Sequence, residues 1–274
     1  MANPDVETPE LLSDIEVKLE RLMAWFATRS SVSVAFSGGS DSALLAWAAN
    51  DVLGDSAQII TAVSPSLAGR EAHDCHALAV EWGLNWFTVT TDEMENAAYR
   101  RNDPDRCFYC KNALMDAIAP LSTGTIVLGV NVDDLSDHRP GQEAAAAAGA
   151  RFPFVEIGID KSDVRSISRR LGLSTWDKPA AACLASRIPH GTEVTVKLLR
   201  RVERAEDLIR AVGIRQVRVR DHGDIARIEV EVDDMDVVLK ARDQIEQGCR
   251  ALGYRFVSLD LGGFRSGSLN PVES

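Results

Sequence analysis

Apolar positions in the first part of the chain follow two rhythms. From about residue 10 to 28, Leu11, Ile15, Leu19, Leu22 and Trp25 recur every three or four positions, the spacing of an amphipathic helix. Short apolar or alternating runs at 32–36, 58–63, 85–90 and 125–130 read as strands. Helical stretches lie between and after them, at 42–53, 69–82, 109–118 and 142–148, and a further one from 162 to 171 stops at Gly172. Strands alternating with helices predict an α/β domain, a mainly parallel sheet with helices on both faces. Residues 176–191 carry two prolines and a glycine without a clean period and read as a loop. After it come a helix at 196–212, strands at 215–220 and 225–232, a helix at 234–252 and a strand at 254–261. That order predicts a small C-terminal α+β unit. The change of pattern places the domain boundary near Gly191, giving domains of 1–190 and 191–274.

Residues 36–42 read Phe-Ser-Gly-Gly-Ser-Asp-Ser, straight after the first strand and before an apolar helix. Adjacent glycines turn the backbone tightly and bring amide groups close to a ligand. Ser37, Ser40 and Ser42 add hydroxyls, and the new helix aims its positive end at the same place. The segment therefore suits a phosphate or pyrophosphate, with Ser37, Gly38, Gly39, Ser40, Asp41 and Ser42 as the binding residues. No Gly-Lys-Ser/Thr closes it, so it is not the Walker pattern. An ordinary strand-to-helix turn is the competing reading. Ser-Gly-Gly-x-Asp-Ser after a strand resembles the PP-loop of ATP pyrophosphatases, which bind ATP and transfer AMP to an oxygen. Asn131, Asp133 and Asp134 follow another strand end and are expected to face the nucleotide, with helix capping the competitor for the aspartates.

Composition narrows the role. With 45% hydrophobic and 26% charged residues in 274, the chain has the balance of a soluble globular protein. A net charge of −11 repels a phosphate backbone and argues against nonspecific nucleic-acid binding. No apolar run reaches the ~18 residues of a membrane span. The acidic N-terminus lacks a basic-then-apolar export signal, so the expected compartment is the reducing cytoplasm. There the five cysteines should be thiols, metal ligands or reactive groups, not disulfides.

Cys107 and Cys110 stand three apart between Arg106 and Lys111. Metal or cluster ligands, a redox dithiol and incidental cysteines all remain open, and a metal would need a third ligand, for which Cys183 is the candidate. Cys183 lies in the irregular stretch Lys178-Pro-Ala-Ala-Ala-Cys-Leu-Ala-Ser-Arg187, where small neighbours allow close approach and Lys178 and Arg187 favour the reactive thiolate. A buried, inert cysteine is the alternative. Glu193 and Arg187 are expected to orient this loop. Cys75 and Cys249 fall on helices and are assigned to packing, as are Trp82 and Trp86. Arg218 and Arg220 lie two apart on a strand and share a side, so they could clamp a substrate phosphate or simply face solvent. Arg265, with Ser266, Gly267 and Ser268, could form an anion nest or an unstructured tail.

Together these segments resemble the LarE family of ATP-dependent sacrificial sulfur transferases, within the PP-loop or adenine nucleotide alpha hydrolase fold. The marks are residues 37–42, 105–111, 129–134 with Arg139-Pro140-Gly141, 176–191 and 263–270. Ser40 replaces the more usual valine of the loop. The resemblance implies that ATP, with Mg²⁺ near Asp41, adenylates a carboxylate of pyridinium-3,5-biscarboxylic acid mononucleotide. The activated carboxyl then becomes a thiocarboxylate in nickel-pincer nucleotide cofactor synthesis. Cys183 matches the sacrificial cysteine, which ends as dehydroalanine. The resemblance also favours Arg218 and Arg220 as substrate-phosphate contacts, the small domain as a substrate-binding or oligomerisation unit, and a homo-oligomer. Some relatives instead hold a 4Fe-4S cluster on three cysteines, and here Cys107, Cys110 and Cys183 are all present. An amidating synthetase or a non-catalytic nucleotide-binding module are the remaining alternatives, and neither needs Cys183.

Overall fold

A computed structural model describes residues 9–135, 140–179 and 182–265. The chain divides into two compact units, the first made of residues up to Val63, Gly69–Thr91 and Cys107–Ala181. It begins with α1 (Pro9–Ala27), β1 (Val32–Ala35), α2 (Ser40–Leu53), β2 (Ala57–Val63), α3 (Gly69–Glu81) and β3 (Trp86–Thr90). After α4 (Ala97–Arg101), which belongs to the second unit, it continues with α5 (Arg106–Ile118), β4 (Thr125–Leu128), α6 (Pro140–Ala147), α7 (Pro153–Ile157) and α8 (Lys161–Arg170). The four strands pair in parallel in the order β3-β2-β1-β4, with Val34 opposite Ile59 on one side and Val127 on the other.

Alternation along the strands sends side chains to two faces. Val32, Val34, Ile59 and Val127 pack with Leu22 of α1, Leu44 of α2 and Ile167 of α8. Ile60, Ile126 and Leu128 point the other way, onto Met115 and Ile118 of α5 and Ala145 of α6. Each such buried side chain contributes about 1.5–3 kcal/mol, and together they give the expected parallel sheet covered on both faces. The start of α8 is fixed by a capping box: the Asp163 amide donates to Asp160 Oδ1 and the Asp160 amide to Asp163 Oδ2, each at 2.9 Å. Lys18 of α1 donates to Asp163 at 2.8 Å, which ties the first helix to the last of this unit. From β1 the chain leaves to β2 on one side and later returns as β4 on the other. That reversal opens a crevice at the carboxyl ends of β1 and β4, where open α/β sheets bind ligands.

The second unit comprises Ser64–Ala68, Asp92–Arg106 and Ala182–Ser274. Beyond α4 it contains α9 (Val196–Arg210), β5 (Val217–His222), β6 (Ile225–Val230), α10 (Met235–Lys240), α11 (Arg242–Ala251) and β7 (Phe256–Leu259). β5 and β6 form an antiparallel hairpin and β7 joins β6 in parallel, a small mixed sheet. Val217, Val219, Ile228 and Val230 meet Ile209 of α9 and Ile245 of α11 in its core. The helix expected over 234–252 is broken at Ala241, whose ψ of 12° leaves the helical range. β5 runs two residues past its expected end and so includes Asp221. Among the described residues no helix is long and apolar enough to cross a membrane.

Candidate active site

In the first unit the glycine turn sits where β1 ends and α2 starts. Gly38 has φ +69°, which L side chains rarely adopt, and a Cβ there would lie 3.0 Å from Cys75 Sγ. Gly39 is the N-cap of α2 and supplies no side-chain cap, so the amides of the first helical turn are open to an anion. Gly129, just past β4, is pressed against the same helix start. A Cβ there would stand 2.9 Å from the Ser42 amide nitrogen and 3.0 Å from the Asp41 carbonyl carbon.

The serines divide their work. Ser42 Oγ donates to the Gly39 carbonyl at 3.1 Å and accepts from the Ser37 amide at 3.2 Å, so it ties the turn together. Ser37 Oγ stands 3.1 Å from Ser42 Oγ. Ser40 Oγ accepts from Lys161 Nζ at 3.0 Å. Asp41 accepts from Lys161 Nζ through Oδ2 and from Asn131 Nδ2 through Oδ1, the latter at 3.0 Å. Asn131 is buried, and it exchanges hydrogen bonds with Asp134: its amide donates to Asp134 Oδ2 at 3.1 Å, and the Asp134 amide donates to Asn131 Oδ1 at 3.3 Å. Asn131 thus reaches the phosphate turn, while these Asp134 contacts shape its own turn. Asp133 Oδ2 accepts from the Lys161 amide at 2.9 Å.

Lys161 escaped the sequence reading, and Lys178 was read there only as a cation near Cys183, not as a neighbour of the glycine turn. Lys161 is the first residue of α8, where the helix dipole disfavours a cation; that local misfit is the signal that could have found it. Lys178 Nζ lies 3.7 Å from the position of a Cβ on Gly38, and donates to Asp74 at 2.9 Å with Glu71 at 3.0 Å. Burial opposes its charge, but the two carboxylates outweigh burial and raise its pKa above the ordinary lysine value. Cys75 is buried beside the turn, and burial pushes its thiol up to about 11, so it acts as a small hydrophobe. Cys249 in the second unit behaves alike, also at about 11. Cys107 is exposed and Cys110 half-buried at the start of α5. Among the described residues no three His, Cys, Asp or Glu side chains are gathered to hold a metal ion.

In the second unit Cys183 is half-buried, a free thiol at the head of a short 3₁₀ turn, Leu184–Arg187. The turn is braced from inside. Arg187 is 3% exposed and donates to the carbonyls of Ala182 at 2.6 Å and Cys183 at 3.0 Å. Its Nε and Nη2 reach the two carboxylate oxygens of buried Glu206 at 2.8 and 3.2 Å. Glu193, the other residue expected to orient this loop, is exposed and stands 3.4 Å from Arg100. Asn102, also missed in the sequence, holds the far side of the loop. Its Nδ2 donates to the carbonyls of Ile188, Pro189 and Thr192 at 3.1, 2.8 and 3.1 Å. Arg106 donates to Asn102 Oδ1 and, at 2.9 Å, to the Ala185 carbonyl.

Arg218 and Arg220 are buried, which overturns the solvent-facing alternative, because both faces of β5 are covered. Arg220 donates to Glu229 Oε2 at 2.8 and 3.0 Å and to the Ser186 carbonyl at 2.9 Å. Burial first, then the charge of Arg187, brings the Arg218 pKa down to about 10, with Glu206 opposing, so it stays charged at neutral pH. Arg187, Arg218 and Arg220 thus form a cationic cluster beside the cysteine turn. Arg265 is exposed, with Asp260 at 4.0 Å. Arg139, Ala180, Ala181 and 266–270, marks of the resemblance, lie outside the described residues.

No protein-family model matches the chain. An uncharacterised Synechocystis protein is 44% identical over 264 residues, covering 94% of this chain and 98% of its own. The pyridinium-3,5-bisthiocarboxylic acid mononucleotide synthase of Lactiplantibacillus plantarum is 37% identical over 264 residues, 94% of this chain and 96% of the synthase. An uncharacterised protein of Methanocaldococcus jannaschii is 25% identical, over 91% of this chain and 97% of its own. At 37% identity to the L. plantarum synthase over 94% of this chain, the chain belongs to the LarE family, that of the synthase.

Proposed function

We propose that the chain is an adenylating sulfur transferase that converts a carboxylate of pyridinium-3,5-biscarboxylic acid mononucleotide to a thiocarboxylate, with sulfur from Cys183. The single observation that carries this reading is the 37% identity to the L. plantarum synthase, end to end. The geometry supports it: an uncapped helix start behind a left-handed glycine in one unit, and a half-buried free thiol beside three arginines in the other.

A carboxylate is a poor electrophile, and joining it to AMP supplies a leaving group. The glycine turn binds the ATP phosphates, with Lys161 and Lys178 as cations for the pyrophosphate that departs. Asp41 presents a hard carboxylate oxygen of the kind Mg²⁺ takes, and Mg²⁺ would offset phosphate charge there. Arg218, Arg220 and Arg265 hold the substrate phosphate. The Cys183 thiolate attacks the acyl carbon and expels AMP, giving a thioester. Cleavage of the Cβ–S bond then leaves thiocarboxylate and dehydroalanine. The small unit carries the substrate, the protein acts in the cytoplasm, and it works as a homo-oligomer, which light scattering would report.

Mass spectrometry after incubation with ATP, Mg²⁺ and the dicarboxylate nucleotide tests the reading. The protein should lose about one H₂S, roughly 34 Da, and Cys183→Ala should lose nothing and form no thiocarboxylate. An unchanged wild-type mass with no product sinks sulfur transfer and leaves an amidating or binding role. The sacrificial route is preferred, as the family's defining chemistry, to the alternative of a 4Fe-4S cluster on Cys107, Cys110 and Cys183. Unchanged mass with product, and absorbance at about 400 nm in anaerobic protein, would favour the cluster instead.

A further inference from the structure

The carbonyl of residue 183 is held by more donors than an ordinary amide oxygen takes. It accepts from the Ser186 amide at 3.0 Å, from Ser186 Oγ at 2.8 Å and from Arg187 Nη1 at 3.0 Å. A carbonyl oxygen has two lone pairs, so three donors are excessive for a neutral amide and suited to an oxygen that becomes an anion. Arg187 is fixed in this aim by Glu206 on its other edge, and it also touches Ser186 Oγ at 3.0 Å. At 3% exposure its charge acts with little screening by water.

We infer that Ser186 and Arg187 form an oxyanion hole for the Cys183 carbonyl and so promote the step that releases sulfur. The inference rests on the sacrificial reading proposed above. In that step a general base takes the Cα proton of the thioester-bearing Cys183. The C–H electron pair moves into the Cα–C bond, and the negative charge goes to the carbonyl oxygen as an enolate. The enolate collapses, the Cα=Cβ bond forms, the Cβ–S bond breaks, and its electron pair leaves on the thiocarboxylate sulfur. No oxidant or reductant is consumed. A backbone Cα–H is a very weak acid, so the charge on the oxygen dominates the barrier, and preorganised donors act where that charge develops. Ser186 and Arg187 therefore touch the reacting group itself.

Single-turnover mass spectrometry of the full-length protein separates the two steps, because the thioester adduct and dehydroalanine differ in mass. Ser186→Ala should slow conversion of adduct to dehydroalanine by about tenfold, and Arg187→Gln by about 10²–10³. In Ser186→Ala adduct formation should stay within about threefold of wild type. Arg187→Lys, which keeps the charge, should recover part of the loss. Cysteine deuterated at Cα should slow dehydroalanine formation and leave adduct formation unchanged. If Arg187→Gln fails to fold, Ser186→Ala carries the test alone. Dehydroalanine formed at the wild-type rate in Ser186→Ala overturns the inference, as does an equal loss in both steps. Wild-type protein that yields neither adduct nor dehydroalanine brings down the sulfur-transfer reading itself, a result visible before any variant is made.

Discussion

Gly129 has no side chain because a backbone lies where one would go. Its notional Cβ meets the Ser42 amide and Asp41 carbonyl carbon within 3.0 Å, and neither is a flexible tip that could swing aside. Gly129→Ala should shift the start of α2, cost about 1–3 kcal/mol by overpacking, and raise the KM for ATP more than it lowers the melting temperature would suggest. Glu206 supplies a second test at this scale. Burial alone would raise its pKa, but the charges of Arg187 and Arg210 prevail and lower it from its ordinary 4.5. A folded-state pKa below the unfolded one gives stability that is present above about pH 4.5 and is lost as pH falls toward the lowered value. Thermal melts from about pH 6 to about pH 3 should show this loss in wild type, and a shallower slope below 4.5 in Glu206→Gln. That variant should also be about 3–5 kcal/mol less stable at neutral pH, since it leaves buried arginines short of a counter-charge.

The loop from 183 to 192 has no ladder of its own, and its far side, from 188 to 192, is held by the side chain of Asn102. Asn102, at φ +60°, spends a single amide on three loop carbonyls. Asn102→Ala should leave those acceptors unmatched, at about 1–3 kcal/mol, and strain a left-handed backbone by a further ~1–2 kcal/mol. Hydrogen exchange should rise at 188–194 while β5 and β6 stay protected. Asn102→Gly relieves the backbone yet should open the loop equally, which separates the two causes. The long elements were legible because burial on one or two faces writes a period into the sequence. Short α4 and α7 were not: they depend on the Asn96 cap and on Pro153 at the first turn, and five residues are too few to show a period. The break at Ala241 carries no proline or glycine to mark it.

At the scale of the molecule, the glycine turn could be read because its residues are consecutive. Lys161 could not, since it joins Asp41 from 120 positions further on, and Lys178 meets Asp74 across 104. Arg218 and Arg220 were legible as a pair, but their burial came from helices and turns that the strand pattern does not mention. The contact between Asp41 and Lys161 has a thermodynamic corollary. A divalent ion alone gains little from a carboxylate that already has an ammonium partner, and a nucleotide alone must draw that ammonium away from it. Arriving together, they can trade partners without stranding either charge. Titration calorimetry should therefore find metal and nucleotide synergistic, each sharpening affinity for the other by at least about tenfold, or roughly 1.4 kcal/mol. Truncating the ammonium in Lys161→Ala should erode that cooperativity while bare Mg²⁺ binds more tightly.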